Sequence, residues 1–150
     1  MKNLFEAATV EEIQLRIARL RPDSERIWGK MNPAQAMAHC AASMEWAVGD
    51  KIPPRMFVGR ILGAVVKPMV FKDDAPIHRN SPTSKDLIVQ DDRNLDMERE
   101  RLRGLLDRFS QAGPEGCTTH PHSFFGRLAP EEWAVLMYKH LDHHLRQFGV

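Results

Sequence analysis

Residues 130–148, PEEWAVLMYKHLDHHLRQF, decide the fold. Pro130 suits the first position of a helix, where a missing N–H costs nothing, and Glu131 and Glu132 are well placed in the first turn. Trp133, Met137, Leu141 and Phe148 then recur at helical spacing, so the stretch predicts a long helix that turns one apolar face to a core. The helix ends near Phe148, ahead of Gly149.

The same periodicity extends outward along the chain. Val10, Ile13, Ile17 and Leu20 predict a first helix over 9–20, with Thr9 and Glu12 in the form of a capping box. Asn32-Pro33 opens a second helix, with Asn as N-cap and Pro at its first position, and Gly49-Asp50 stops it after about Val48. A third long helix, capped by Asp91 or Asp92, carries the stripe Leu95, Leu102, Leu105, Leu106 and Phe109 and ends at Gly113-Pro114. Residues 55–70 are apolar, interrupted by Pro68 and two glycines, and read as a short extra helix. Residues 71–91 form a long polar connection, a length that in a compact domain points to a functional or covering role. No repeat, low-complexity tract or domain boundary appears. The expectation is one all-α domain over 1–150, a four-helix bundle with a short extra helix and a long connection between helices two and three.

Composition narrows the function classes. The chain has 150 residues, 21 Lys+Arg against 20 Asp+Glu, and 43% apolar residues. This balance suits a globular fold and lacks the basic excess of a nucleic-acid binder. Arg99, Arg101 and Arg103 alternate with Glu98 and Glu100 and read as a solvated helix face. No apolar run reaches the roughly 20 residues of a membrane span. The acidic start MKNLFEAATVEE does not resemble a signal peptide, and Cys40 and Cys117 cannot make a disulfide framework. A soluble, cytoplasmic protein acting on a small molecule, with neither nucleic acid nor membrane as partner, is expected.

The chemistry lies in His140-Leu141-Asp142-His143-His144. Residues four apart share one helix face, so His140 and His144 can hold one metal ion; His140 and His143, three apart, are also compatible. At about 100° per residue, His144 falls inside the arc of Trp133, Met137 and Leu141, whereas His143 falls at its edge. His140 and His144 therefore look into the core, and His143 is expected at a rim or in solvent. Two buried imidazoles need compensation, which a divalent metal supplies. A third ligand is expected from elsewhere. His39 is the only histidine on another long helix, at the edge of a small-residue flank that includes Ala36, Cys40 and Ala47. On its own it would better suit a partly exposed helix position. Leu141 stands where the zinc-peptidase helix signature has its glutamate, so that route to peptidase chemistry is not supported. Asp142 lies opposite the histidines on the wheel, a poor position for a catalytic group.

Cys117, His120 and His122 form a rival group of donors within six residues, without a fourth ligand at the usual structural-zinc spacing. Cys40 reads as a small buried residue. Trp28, Trp46 and Trp133 read as packing residues, because no basic patch accompanies them.

Three stretches, RIWGKMNPAQAMAHC (26–40), FFGRLAPEEW (124–133) and YKHLDHHLRQFG (138–149), together resemble the DinB/YfiT-like superfamily of metalloenzymes. Within it they resemble a bacterial branch with this histidine-rich last helix. The resemblance covers nearly the whole chain, and the helix order agrees. It implies a four-helix bundle holding a divalent metal (Zn, Ni, Fe or Mn) on one histidine of the second helix and two of the last. These positions fall on His39, His140 and His144. It also implies an enzyme of transferase or hydrolase type, a low-molecular-weight thiol as cofactor, and a homodimer. His122-Ser123, between His120-Pro121 and the Phe-Phe-Gly, departs from the usual pattern near the site entrance. The competing expectation is a metal-binding or metal-free dimeric bundle without catalysis.

Overall fold

The computed structural model describes residues 1–150 and is all-helical. Its α-helices are α1 (Ala7–Arg19), α2 (Pro33–Ala47), α3 (Phe57–Val70), α4 (Leu95–Ala112) and α5 (Pro130–Gln147), with 3-10 turns at Lys85–Leu87 and Gly113–Gly116. There is no strand; one isolated bridge pairs His122 with Gly126. No helix is long and apolar enough to cross a membrane.

One apolar core is shared by α1, α2, α4 and α5, through residues such as Ile13, Met37, Leu106 and Leu141. Helix α2 runs through its middle. Ala36, Ala41 and Ala47 are fully buried, and Ala34 and Ala38 nearly so, and these small side chains let the neighbouring helices approach from several sides. A helix apolar nearly all round is a buried helix. His39 is therefore 2% exposed, well inside the edge position that the apolar flank alone suggested.

The helix starts show where local signals sufficed. Asn32 accepts from Gln35 N–H at 2.9 Å while the Gln35 side chain accepts from Asn32 N–H at 3.0 Å, a reciprocal cap on α2. In α5, Ala129 N–H donates to Glu132 at 2.8 Å. Two expected caps differ. Helix α1 begins at Ala7, and Thr9 is a buried residue donating to Glu6, while Glu12 pairs with Lys2. Helix α4 is capped by Asn94, which accepts from Met97 N–H at 3.0 Å; Asp91 is instead paired with Arg93. On the same helix Glu98 leaves the expected solvated face. It is 8% exposed and held by Arg93 and Arg101.

The end of α3 and residues 71–94 pack along α5 and α2 and supply carbonyl groups to buried side chains. Lys139 Nζ donates to Val70 O (2.7 Å) and Asp73 O (2.6 Å). His143 and His39 reach Ile77 O and Leu87 O. The long connection is thus a cover over one side of the core.

Candidate metal centre

His39 projects from the middle of α2, and His140 and His144 from adjacent turns of α5. One ring nitrogen of each lies within 4.8 Å of the others. His39 Nε2 and His140 Nε2 are 2.8 Å apart. His39 and His144 are buried, and His140 is partly so.

The far nitrogen of each ring is committed. His39 Nδ1 lies 2.7 Å from Leu87 O, and a carbonyl only accepts, so Nδ1 carries the proton. His140 Nδ1 lies 2.9 Å from Ser43 Oγ. That hydroxyl also lies 2.8 Å from Cys40 O, so its single proton goes either to the carbonyl, leaving the oxygen to accept from His140 Nδ1, or to His140 Nδ1 itself. His144 Nδ1 lies 3.0 Å from Gln147 Oε1. The Gln147 amide is oriented by donating from Nε2 to Trp28 O at 2.7 Å, so its oxygen accepts from His144. His39 and His144 therefore present bare Nε2 lone pairs, and His140 Nε2 faces that of His39 at hydrogen-bond distance, either donating its own proton to it or, with the proton at Nδ1, presenting a third lone pair.

With His140 protonated at Nδ1, a cation is what the three rings lack. A proton is a poor candidate. Burial pushes His39 and His140 below the ordinary imidazole value, His140 well below it, and takes His144 down to about 3; neighbouring histidines add to the depression for each. Neutral imidazoles with Nδ1–H tied to an acceptor and Nε2 converging are the usual donor set for a divalent metal. The residues present therefore fit a metal ion, whose identity the three nitrogens leave open.

The neighbouring groups fall outside the triad. His143, expected at a rim, is buried at 9% exposure. Its Nδ1 is 3.2 Å from Ile77 O and its ring meets Trp28 edge-on at 5.6 Å, because the 71–79 segment folds over that edge of α5. Asp142 points away from the histidines, as the wheel implied, and bonds Arg16 (2.8 Å) and Arg146 (2.7 Å). A cleft of about 610 Å³ lies on the far side of His143, between Trp28, Arg79, Tyr138 and Arg146, and does not include the triad.

Cys117, His120 and His122 do not gather into a donor cluster. The His122 ring stacks on Phe125 at 5.1 Å and meets Trp133 edge-on at 5.3 Å. Its Nδ1 accepts from the N–H groups of Phe124 and Phe125, and burial lowers its pKa to about 4. It shapes the loop from within. Cys40 is fully buried, as its small-residue setting implied, and burial pushes the Cys117 thiol up to about 11. Trp133 is core.

Reading the sequence missed the residues that fix the three rings. Ser43 sits four residues after His39 and Gln147 three after His144, both at same-face helical spacing, so a search for polar residues at those offsets would have found them. Leu87 carries no such signal, being 48 positions from His39 and acting through its backbone.

No curated protein and no solved structure matches the chain. The family model described as "Protein of unknown function (DUF1569)" matches residues 3–149. The chain therefore belongs to the DUF1569 family.

Proposed function

We propose that this protein is a divalent-metal-dependent enzyme of transferase or hydrolase type, with His39, His140 and His144 as the metal ligands. The observation that carries the reading is the convergence of one ring nitrogen from each of the three histidines within 4.8 Å, with Nδ1 of His39 and of His144 tied to acceptors. On this reading α1, α2, α4 and α5 are the four-helix bundle of a DinB/YfiT-like fold, and α3 is the extra helix. The ion is Zn, Ni, Fe or Mn. A metal held by three histidines keeps a coordination position open, and there it lowers the pKa of water or a thiol so that a nucleophile forms at neutral pH. The candidate cofactor is a low-molecular-weight thiol, and the substrate a small molecule.

The protein's own groups would divide the work simply. Leu87 O and Gln147 hold His39 and His144 in one tautomer and one orientation, and Ser43 orients His140. Apolar packing keeps bulk water from His39 and His144. The net charge of +1 argues against nucleic acid as a partner, and the free thiols Cys40 and Cys117 suit the cytoplasm.

Elemental analysis of protein purified without a histidine tag tests the site. About one divalent ion per chain is expected, falling to background in the His140→Ala/His144→Ala variant. Equal metal in wild type and variant would remove the assignment. One observation favours a second reading, a metal-binding bundle without catalysis: the 610 Å³ cleft does not open onto the triad. Screening the metal-loaded protein with thiols and electrophiles separates the two, since turnover that is lost with the metal supports only the enzyme.

A further inference from the structure

The cleft of about 610 Å³ beyond His143 lies where the start of the chain, α1, α5 and residues 76–79 meet. Its volume is in the range of small-molecule sites. Its charges are uneven: Lys2, Arg16, Arg79 and Arg146 line it against only Glu12 and Asp142. Both carboxylates are already taken. Glu12 pairs with Lys2, and Asp142 is shared by Arg16 at 2.8 Å and Arg146 at 2.7 Å. Arg146 reaches Asp142 through Nε, so its terminal NH2 groups remain open. Arg79 has no carboxylate at all. Its guanidinium lies over the Trp28 ring, 4.3 Å from the centroid. Stacking occupies the face of a guanidinium and leaves its N–H edge free, the edge that fits a carboxylate in two parallel hydrogen bonds.

We propose that this cleft binds a small organic carboxylate with a flat apolar body, its acid group held by Arg79 and Arg146. Trp28 makes Arg79 a prepared receptor. The indole meets the His143 ring edge-on at 5.6 Å, and the Trp28 carbonyl accepts from Gln147 Nε2 at 2.7 Å. The surface on which Arg79 stacks is therefore fixed to α5, and less freedom is lost when the guanidinium takes up an anion. The rest of the lining selects the body of the ligand. Ile27, Ile77 and Tyr138 present apolar and aromatic surface between the cations. A hydrated inorganic anion gains nothing from such surface, whereas a flat ring sheds water against it. The site stands apart from the three-histidine centre and does not rest on the metal reading.

The probe is benzoate, titrated into the full chain and followed by heteronuclear NMR at the Trp28 indole N–H, assigned with Trp28→Phe, and at the amides of Ile77 and Arg79. Saturable shifts are expected at these positions, with a dissociation constant on the order of 1 mM. Benzamide and acetate should each bind at least ~10-fold more weakly, the first for want of charge and the second for want of a ring. The Arg79→Gln/Arg146→Gln variant should lose at least ~10-fold in benzoate affinity. Both side chains are exposed, and Asp142 keeps Arg16, so helical content and thermal unfolding should match wild type. Protein stripped of metal with EDTA should bind benzoate equally well. Absence of saturable shifts up to about 20 mM benzoate overturns the proposal. So does inorganic phosphate binding as tightly as benzoate, an unchanged affinity in the double variant, or benzoate binding that is lost with the metal.

Discussion

Helices α2 and α3 carry similar residues and meet opposite fates. Both are short on charge and both contain residues small enough for close packing: six alanines and a serine in α2, two glycines and an alanine in α3. Helix α2 is enclosed by its neighbours and buries twelve of its fifteen residues. Helix α3 buries only Gly59 and Gly63. The difference lies in where the bulk sits. In α2 small residues occur on every side, so other helices close in and even His39 and Ser43 are buried. In α3 the small residues form one narrow strip and most large ones face outward, so the Phe124 loop packs on the strip and only the end of the helix, at Val70, reaches the core. An apolar helix therefore marks a contact surface, and only the distribution of its small residues tells whether the chain itself covers it.

The largest effect that separates the two regions is a core deletion. Leu141 is 1% exposed and packs in the common core, next to the first histidine of α5. Leu141→Ala should lower unfolding free energy by about 2–5 kcal/mol in urea denaturation. Val65→Ala on α3, measured in dilute protein, should stay within about 0.5 kcal/mol of wild type. A loss at Val65 approaching that at Leu141 in the dilute chain would mean that α3 packs on the core after all, and the contrast would fail.

A smaller effect probes how firmly the buried region holds its polar groups. Gln147 links His144 Nδ1 to Trp28 O. Gln147→Leu keeps the volume and removes the acceptor, so His144 loses its fixed tautomer. Metal affinity, measured by competition with a chelating dye, should fall about 10–100-fold, while stoichiometry at saturating metal stays at about one per chain. Affinity unchanged in this variant would show that the ring is oriented by packing alone.

How much of this was readable without coordinates follows from range. The positions of His140 and His144 followed from the angular order of α5 because neighbours on one helix face are set by its own 3.6-residue turn. The Asn32-Pro33 start of α2 is local in the same way. What stayed hidden depends on distant chain. His143 is buried because residues 71–79 return over it, and the tautomer of His39 depends on the carbonyl of Leu87, 48 positions away. The start of α4 shifted from Asp91 or Asp92 to Asn94, since Asp91 is paired with Arg93 and Leu95 enters the core. In α3, apolar content predicted a helix, but no local rule states which face the rest of the chain will leave open.

The smallest effect compares glycines and isolates the close approach itself. Gly63 and Gly104 both sit inside helices, where glycine costs about 1 kcal/mol relative to alanine. Around Gly104 on α4 an added Cβ meets nothing within 4 Å. Gly104→Ala should therefore stabilise by about 0.5–1 kcal/mol, read as a higher midpoint in urea at unchanged slope. At Gly63 the same methyl would press on Phe124 O at 2.3 Å, and a backbone carbonyl cannot swing aside as a side-chain tip can. Helix α3 must then lift from its loop, so Gly63→Ala should forfeit the propensity gain and lower stability instead. The lift would also disturb the turn that His122 braces, through Phe124 N–H and Phe125 N–H. Amide exchange at Phe124 and Phe125 should consequently quicken in Gly63→Ala and not in Gly104→Ala. Equal stabilisation by both substitutions would mean that α3 is not seated on the loop by its glycines, and that its outward apolar face has another cause.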